Sequence, residues 1–168
     1  MTESLVLALF PTLVIAAAIG DVLTMRIPNW LNGATALAAV PMAIMAGMPL
    51  EVLQWHVLAG AAMLVVGFGL FAGSYIGGGD AKLVAAAGLW IGWSGLLGFV
   101  LVTTLAGGVL ALVMKAWQLV RIEQDQEVRG GAWLRRVFRS DLKLPYGVAI
   151  AAGALWVYPA TWWMETIL

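Results

Sequence analysis

The chain has no cysteine, one histidine and little charge: only 11% of its 168 residues are Asp, Glu, Lys or Arg. Without cysteine there is no disulfide framework, no thiolate zinc site and no cysteine nucleophile. Soluble domains are nearer a quarter charged, so this chain lacks the polar residues to clothe a water-soluble surface. Its start, Met-Thr-Glu-Ser, lacks the basic n-region of a secretory signal, so Leu5–Gly20 reads as a retained span. What is present is hydrocarbon: 62% hydrophobic residues, with a mean hydropathy of +0.95. The apolar runs are continuous and do not alternate as barrel strands do, so the expected fold is an all-α, polytopic integral membrane protein.

The runs are Leu5–Gly20, Trp30–Met48, Trp55–Gly73, Leu83–Met114 and Tyr146–Trp163. A crossing needs about 20 residues. The fourth run is too long for one crossing and slightly short for two, with a natural break at Gly92-Trp93-Ser94-Gly95. Charge resolves the count, because basic residues favour the cytoplasmic side of short loops. Seven of the nine basic residues lie in the polar segment Lys115–Pro145, with Arg26 and Lys82 in two earlier loops. Two crossings put all nine on one side; one crossing splits them. The expectation is six transmembrane helices in a single membrane-embedded domain over residues 1–168. Both termini then lie outside, and the polar stretch at about 115–145 lies in the cytoplasm. Its Arg135–Arg139 stretch, with Trp133 and Phe138, looks amphipathic and suited to an anionic membrane surface. Trp30, Trp55, Trp117, Trp162 and Trp163 fall at span ends, at headgroup level. Trp90 and Trp156 read as ordinary core or lipid-facing residues, and His56 as an interfacial histidine on the outer side.

Two acids stand out against this background. Asp21 ends the first apolar run, and Asp80 follows three glycines before the fourth. A carboxylate at a helix centre in a bilayer costs roughly 2.5–3.5 kcal/mol on insertion scales, so two of the chain's few acids at span ends call for a reason. The topology puts both at the cytoplasmic end. Two carboxylates held close together share a proton, because like charges at short range do not both ionise. One can then take a proton from water while the other donates to a carbonyl oxygen, which is general acid–base hydrolysis. Asp21 and Asp80 are the candidate catalytic residues. Gly77, Gly78, Gly79 and Lys82 are the candidate substrate-binding positions. Three successive glycines, each about 1 kcal/mol worse than alanine in a helix, permit an unwound turn and close approach of a substrate backbone. Lys82 stands to tune Asp80 or to face lipid phosphates. Pro28 biases Ile27 away from helix, and Asn29 is placed to cap the span beginning at Trp30.

Three stretches together carry a family resemblance: Asp21-Val22-Leu23-Thr24-Met25-Arg26-Ile27-Pro28-Asn29, Gly77-Gly78-Gly79-Asp80-Ala81-Lys82, and Leu144-Pro145-Tyr146-Gly147 continuing to Gly153. They are similar to the prepilin peptidases, the type IV leader peptidases of bacteria, which are membrane aspartyl proteases with a Gly-x-Gly-Asp motif. The resemblance implies Asp21 and Asp80 as a catalytic pair. It implies a pilin-like precursor with a short basic leader as substrate, cut at the cytoplasmic face of the bacterial inner membrane. The larger bifunctional members carry an extra cysteine-bearing region and also N-methylate the new pilin end. With no cysteine and Asp21 so early, this chain resembles the short peptidases of tight-adherence (Flp-type) pilus systems, so methyltransferase activity is not expected. The lipid bilayer and the precursor are the expected partners, with no nucleic acid, no cofactor and no metal. The alternative from a different class is an ion- or proton-coupled transporter subunit with Asp21 and Asp80 as its ion site. The small-residue pairs Gly69/Gly73 and Gly88/Gly92 read as helix-packing positions.

Overall fold

The computed structural model describes residues 2–124 and 144–167, and among these every regular element is helical. Helix α1 runs Thr2–Thr24, α2 Asn29–Met45, α3 Leu50–Ala72, α4 Gly78–Gln124 and α5 Tyr146–Val157. A 3-10 turn, Tyr158–Ala160, then leads to a short α6, Trp162–Ile167. Helices form because an apolar segment in hydrocarbon must satisfy its own backbone groups. Prolines mark their starts: Pro28, Pro49 and Pro145 stand immediately before α2, α3 and α5, where a missing N–H costs nothing. By length and composition, Leu7–Thr24, Leu50–Ala72 and Gly78–Trp117 each suffice to cross a membrane. Large aliphatic side chains on their outer faces, among them Leu64, Val65, Leu97 and Leu105, are exposed, as a lipid-facing surface requires.

Helix α4 is two helices joined at Gly92, where φ 75 and ψ 174 interrupt the helical backbone. Its first arm runs antiparallel to α3: Gly67 faces Ala81, Gly60 faces Leu89, and Gly92 meets the His56 ring. Its second arm runs antiparallel to α5: Gly95 faces Val157, and Gly107 faces Tyr146 and Ala149. Helix α5 is in turn antiparallel to α1, with Gly147 bonded to Asp21 and Tyr158 against Phe10. The chain therefore reverses through the layer at Gly92. Six antiparallel segments result, and the expected break is present. Residues 21–29, 73–80 and 144–147 gather at one end, the acid end. Residues 46–50, 92 and 158–162 gather at the far end.

An aromatic core closes the far half of the bundle. Phe10 stacks on Trp90 at 5.2 Å, and Trp90 lies 4.9 Å from Trp163, ring centre to ring centre. Both buried indoles are satisfied: Trp90 Nε1 donates to Thr35 O at 2.8 Å, and Trp163 Nε1 to Trp90 O at 2.6 Å. Trp163 is thus a core residue, not a headgroup anchor. His56 is likewise buried, its Nδ1 2.9 Å from Leu89 O and its ring edge-on to Trp163. Hydrophobicity places a residue in the layer but does not say which side of its helix finds a partner. Of the expected packing glycines, Gly88 and Gly92 meet α3 closely, whereas Gly69 faces open space. The closest helix contacts include Gly60 and Gly67. The Arg135–Arg139 stretch and most of the segment 115–145 lie outside the described residues.

Candidate active site

Asp21 and Asp80 line one cavity of about 400 Å³ at the acid end, together with Met25, Ser74, Tyr75, Ile76, Gly77, Leu144 and Tyr146. The two carboxylates open on the same cavity. Each belongs to a different helix, and each is held by a backbone donor at a helix start.

Asp80 is the third residue of α4. Gly77 precedes the helix and accepts its first bond, from Ala81 N–H at 3.0 Å. The Asp80 Oδ2 reaches back to accept the Gly77 N–H at 3.1 Å. This is the return half of a capping box, with an aspartate in the place usually held by Glu or Gln. Asp21, on the last turns of α1, is 5% exposed. Its Oδ2 accepts the N–H of Gly147 at 2.8 Å across 126 positions of sequence. Gly147 is the second residue of α5, so its N–H has no partner within its own helix. Both acids thus sit where the positive end of a helix accommodates a carboxylate. The Oδ1 of each has no hydrogen-bond partner among the described residues.

A side chain at either donor glycine would crowd the carboxylate it holds. A Cβ on Gly77 would lie 2.8 Å from Asp80 Oδ2, and one on Gly147 would lie 3.0 Å from both Cβ and Oδ2 of Asp21. Two other cavity residues, Met25 (φ 52) and Ser74 (φ 61), occupy the left-handed region although neither is glycine. Met25 ends α1, its N–H returning to Asp21 O at 2.7 Å. Ser74 ends α3 in a Schellman motif, with Tyr75 N–H on Leu70 O and Ser74 N–H on Phe71 O, both at 2.9 Å. Gly73 cannot be exchanged for this role, since it stands one position early, against the Tyr75 ring.

The candidate substrate-binding positions divide. Gly77 lines the cavity. Gly78 and Gly79 already belong to α4 and serve packing: a Cβ would come 3.3 Å from Phe71 at Gly78 and 3.3 Å from Ile27 at Gly79. The run is therefore a helix start and not an unwound turn of three residues. Lys82 points away from the aspartates. Its Nζ donates to Asn29 Oδ1 at 2.8 Å, and both residues line a separate, largely apolar cavity between α2, α3 and α4. Asn29 consequently makes no side-chain cap on α2. Asn32 Nδ2 donates to Gly79 O at 3.0 Å. Asn29–Lys82, Asn32–Gly79 and Ile27–Gly79 tie the two aspartate-bearing stretches together. Gly147 and Asn32 were not legible as site residues, because nothing local marks a donor whose acceptor is a helix away. Among the described residues no group of three His, Cys, Asp or Glu side chains could hold a metal.

Comparison with known proteins bears on the same region. Residues 8–112 match the type IV leader peptidase family, which takes in both aspartates and leaves the 144–153 stretch outside. Over 60 residues the chain is 40% identical to a prepilin leader peptidase/N-methyltransferase of Dickeya chrysanthemi. Over 60 residues it is 42% identical to one of Pectobacterium carotovorum subsp. carotovorum. Each alignment covers 35% of this chain and 20% of the relative, so the chain matches about a fifth of the length of these curated proteins. No solved structure gives a significant match.

Proposed function

Because the chain belongs to the type IV leader peptidase family, we propose that it is an aspartic endopeptidase cutting the short basic leader from pilin-like precursors. Asp21 and Asp80 are its acid–base pair. The observation that carries this reading is the shared cavity, in which two carboxylates on different helices each have one oxygen tied to a glycine N–H.

The pair works with one proton between its members. The ionised carboxylate removes a proton from a water molecule as the water oxygen bonds to the scissile carbonyl carbon. The protonated carboxylate gives its proton to the carbonyl oxygen, forming a neutral gem-diol. On collapse the C–N bond breaks, the amine nitrogen takes a proton from the pair, and a gem-diol hydroxyl returns one to it. The products are a carboxylic acid and an amine, and no covalent enzyme intermediate forms.

The acid end faces the cytoplasm of a bacterial inner membrane in this reading. Arg26, Lys82 and Lys115 lie towards that end, and Glu51 and Glu165 towards the other, which follows the positive-inside rule. The test uses protein purified in detergent and a pilin precursor with a basic leader. Asp21→Asn and Asp80→Asn should each reduce cleavage below about a thousandth of wild type, the scale of removing an acid–base group. If either variant cleaves at the wild-type rate, the paired mechanism is wrong.

A further inference from the structure

We propose that the far end of the bundle carries a second site, which receives an organic ammonium group between the indoles of Trp55, Trp93 and Trp162 and the Glu165 carboxylate. A cavity of about 540 Å³ lies there, remote from the aspartates. Its walls come from the start of α3, the Gly92 reversal and the last turns of the chain. They include those three tryptophans, His56, Ser94 and Glu165, and among the described residues no lysine or arginine.

The walls are built, not incidental. Trp55 and Trp93, each about half exposed, stand 6.1 Å apart, centre to centre, inclined at 51°, and both line the cavity. Trp162 is set edge-on at 5.9 Å against Trp163, which is itself buried and anchored through its bond to Trp90 O. His56 commits Nδ1 to Leu89 O, so in its neutral form Nδ1 carries the proton and Nε2 is an acceptor. The position of Trp93 depends on the reversal at Gly92, where only glycine fits beside the His56 ring.

The chemistry selects the ligand. Tryptophan faces attract cations more than any other aromatic face does, within about 6 Å of the ring centre. Glu165 supplies the countercharge, and Ser94 a hydroxyl acceptor. Among the described residues, an anion would find no positive side chain there and one negative one. A purely apolar ligand would leave the carboxylate unused. An ordinary interfacial belt distributes tryptophans around the bundle perimeter, whereas these three converge on one concavity with an acid. An ammonium group could reach it as the headgroup of phosphatidylethanolamine or as a soluble amine, and both sources are tested.

The probe is tetramethylammonium, followed by saturation-transfer NMR on the full chain in a maltoside detergent. Saturation of the methyl signal is expected. Glu165→Gln and Trp55→Leu should each weaken it at least about fivefold, the range of a partly desolvated cation–π contact. Trp30→Leu, which removes a 70% exposed tryptophan at the acid end, should leave it unchanged. Native mass spectrometry from phosphatidylethanolamine and phosphatidylglycerol nanodiscs then separates the sources. Retention of phosphatidylethanolamine by wild type but not by Glu165→Gln assigns the headgroup. Tetramethylammonium binding without lipid retention assigns a soluble amine. No saturation, or equal loss in Trp30→Leu, overturns the proposal. None of these readouts depends on peptidase activity.

Discussion

Asp21 and Asp80 are held by one device used twice, a glycine N–H at a helix start with no Cβ to crowd the carboxylate. On the proposed mechanism, Gly147→Ala and Gly77→Ala should therefore act on cleavage through the aspartate they position. A hydrogen bond to a charged group contributes about 1.5–3 kcal/mol, so kcat/KM for precursor cleavage should fall about tenfold to a hundredfold. Gly108→Ala, where a Cβ meets nothing within 4 Å, should cleave as wild type does. Equal activity in all three variants would remove the positioning role. The acids themselves were legible because a charge at the end of an apolar run is expensive. Gly147, Met25 and Ser74 were not, because a left-handed residue other than glycine and a donor 126 positions away leave no local trace. Lys82 was legible as a notable residue, yet its partner Asn29 decides that it faces away from the acids.

At the scale of elements, α4 shows most clearly how a helix can be read correctly and still hide its geometry. The charge count demanded that the fourth apolar run cross twice, and Gly92 supplies the reversal. Its φ and ψ lie in a region open almost only to glycine, and a Cβ there would stand 2.8 Å from His56 Nε2. Gly92→Ala should destabilise the protein by about 1–3 kcal/mol from backbone strain, with further loss from displacing His56. Chemical unfolding in detergent, followed by circular dichroism, measures it; an unchanged midpoint would mean that the reversal does not depend on this glycine. The triple glycine shows the opposite lesson. Its composition suggested an unwound stretch, but close neighbours Phe71 and Ile27 recruit Gly78 and Gly79 into the first turn of α4. A helix start tolerates glycine, and packing sets where the start falls.

At the scale of the whole molecule, the described ends of the bundle are chemically unlike: the two aspartates, their backbone donors and Lys82 at one, a cluster of tryptophans, a buried histidine and Glu165 at the other. The chain's lack of cysteine makes its orientation directly measurable. Tyr75→Cys at the acid end and Leu50→Cys at the far end replace exposed residues. In intact cells an impermeant maleimide should label the second and spare the first, with the reverse pattern overturning the cytoplasmic assignment. Hydropathy and charge determined by themselves that this chain is helical, that it is a polytopic membrane protein, that its fourth apolar run breaks in two and that its two unusual acids share an end. Those are sums over local segments, and a bilayer reads segments. The tertiary structure alone decided which glycine N–H holds each acid, which way Lys82 turns, that Trp163 and His56 are buried, and that three tryptophans meet beside Glu165. Each of these joins residues from different helices, and such contacts depend on helix rotation and register, which hydrophobicity along a uniformly apolar helix does not specify.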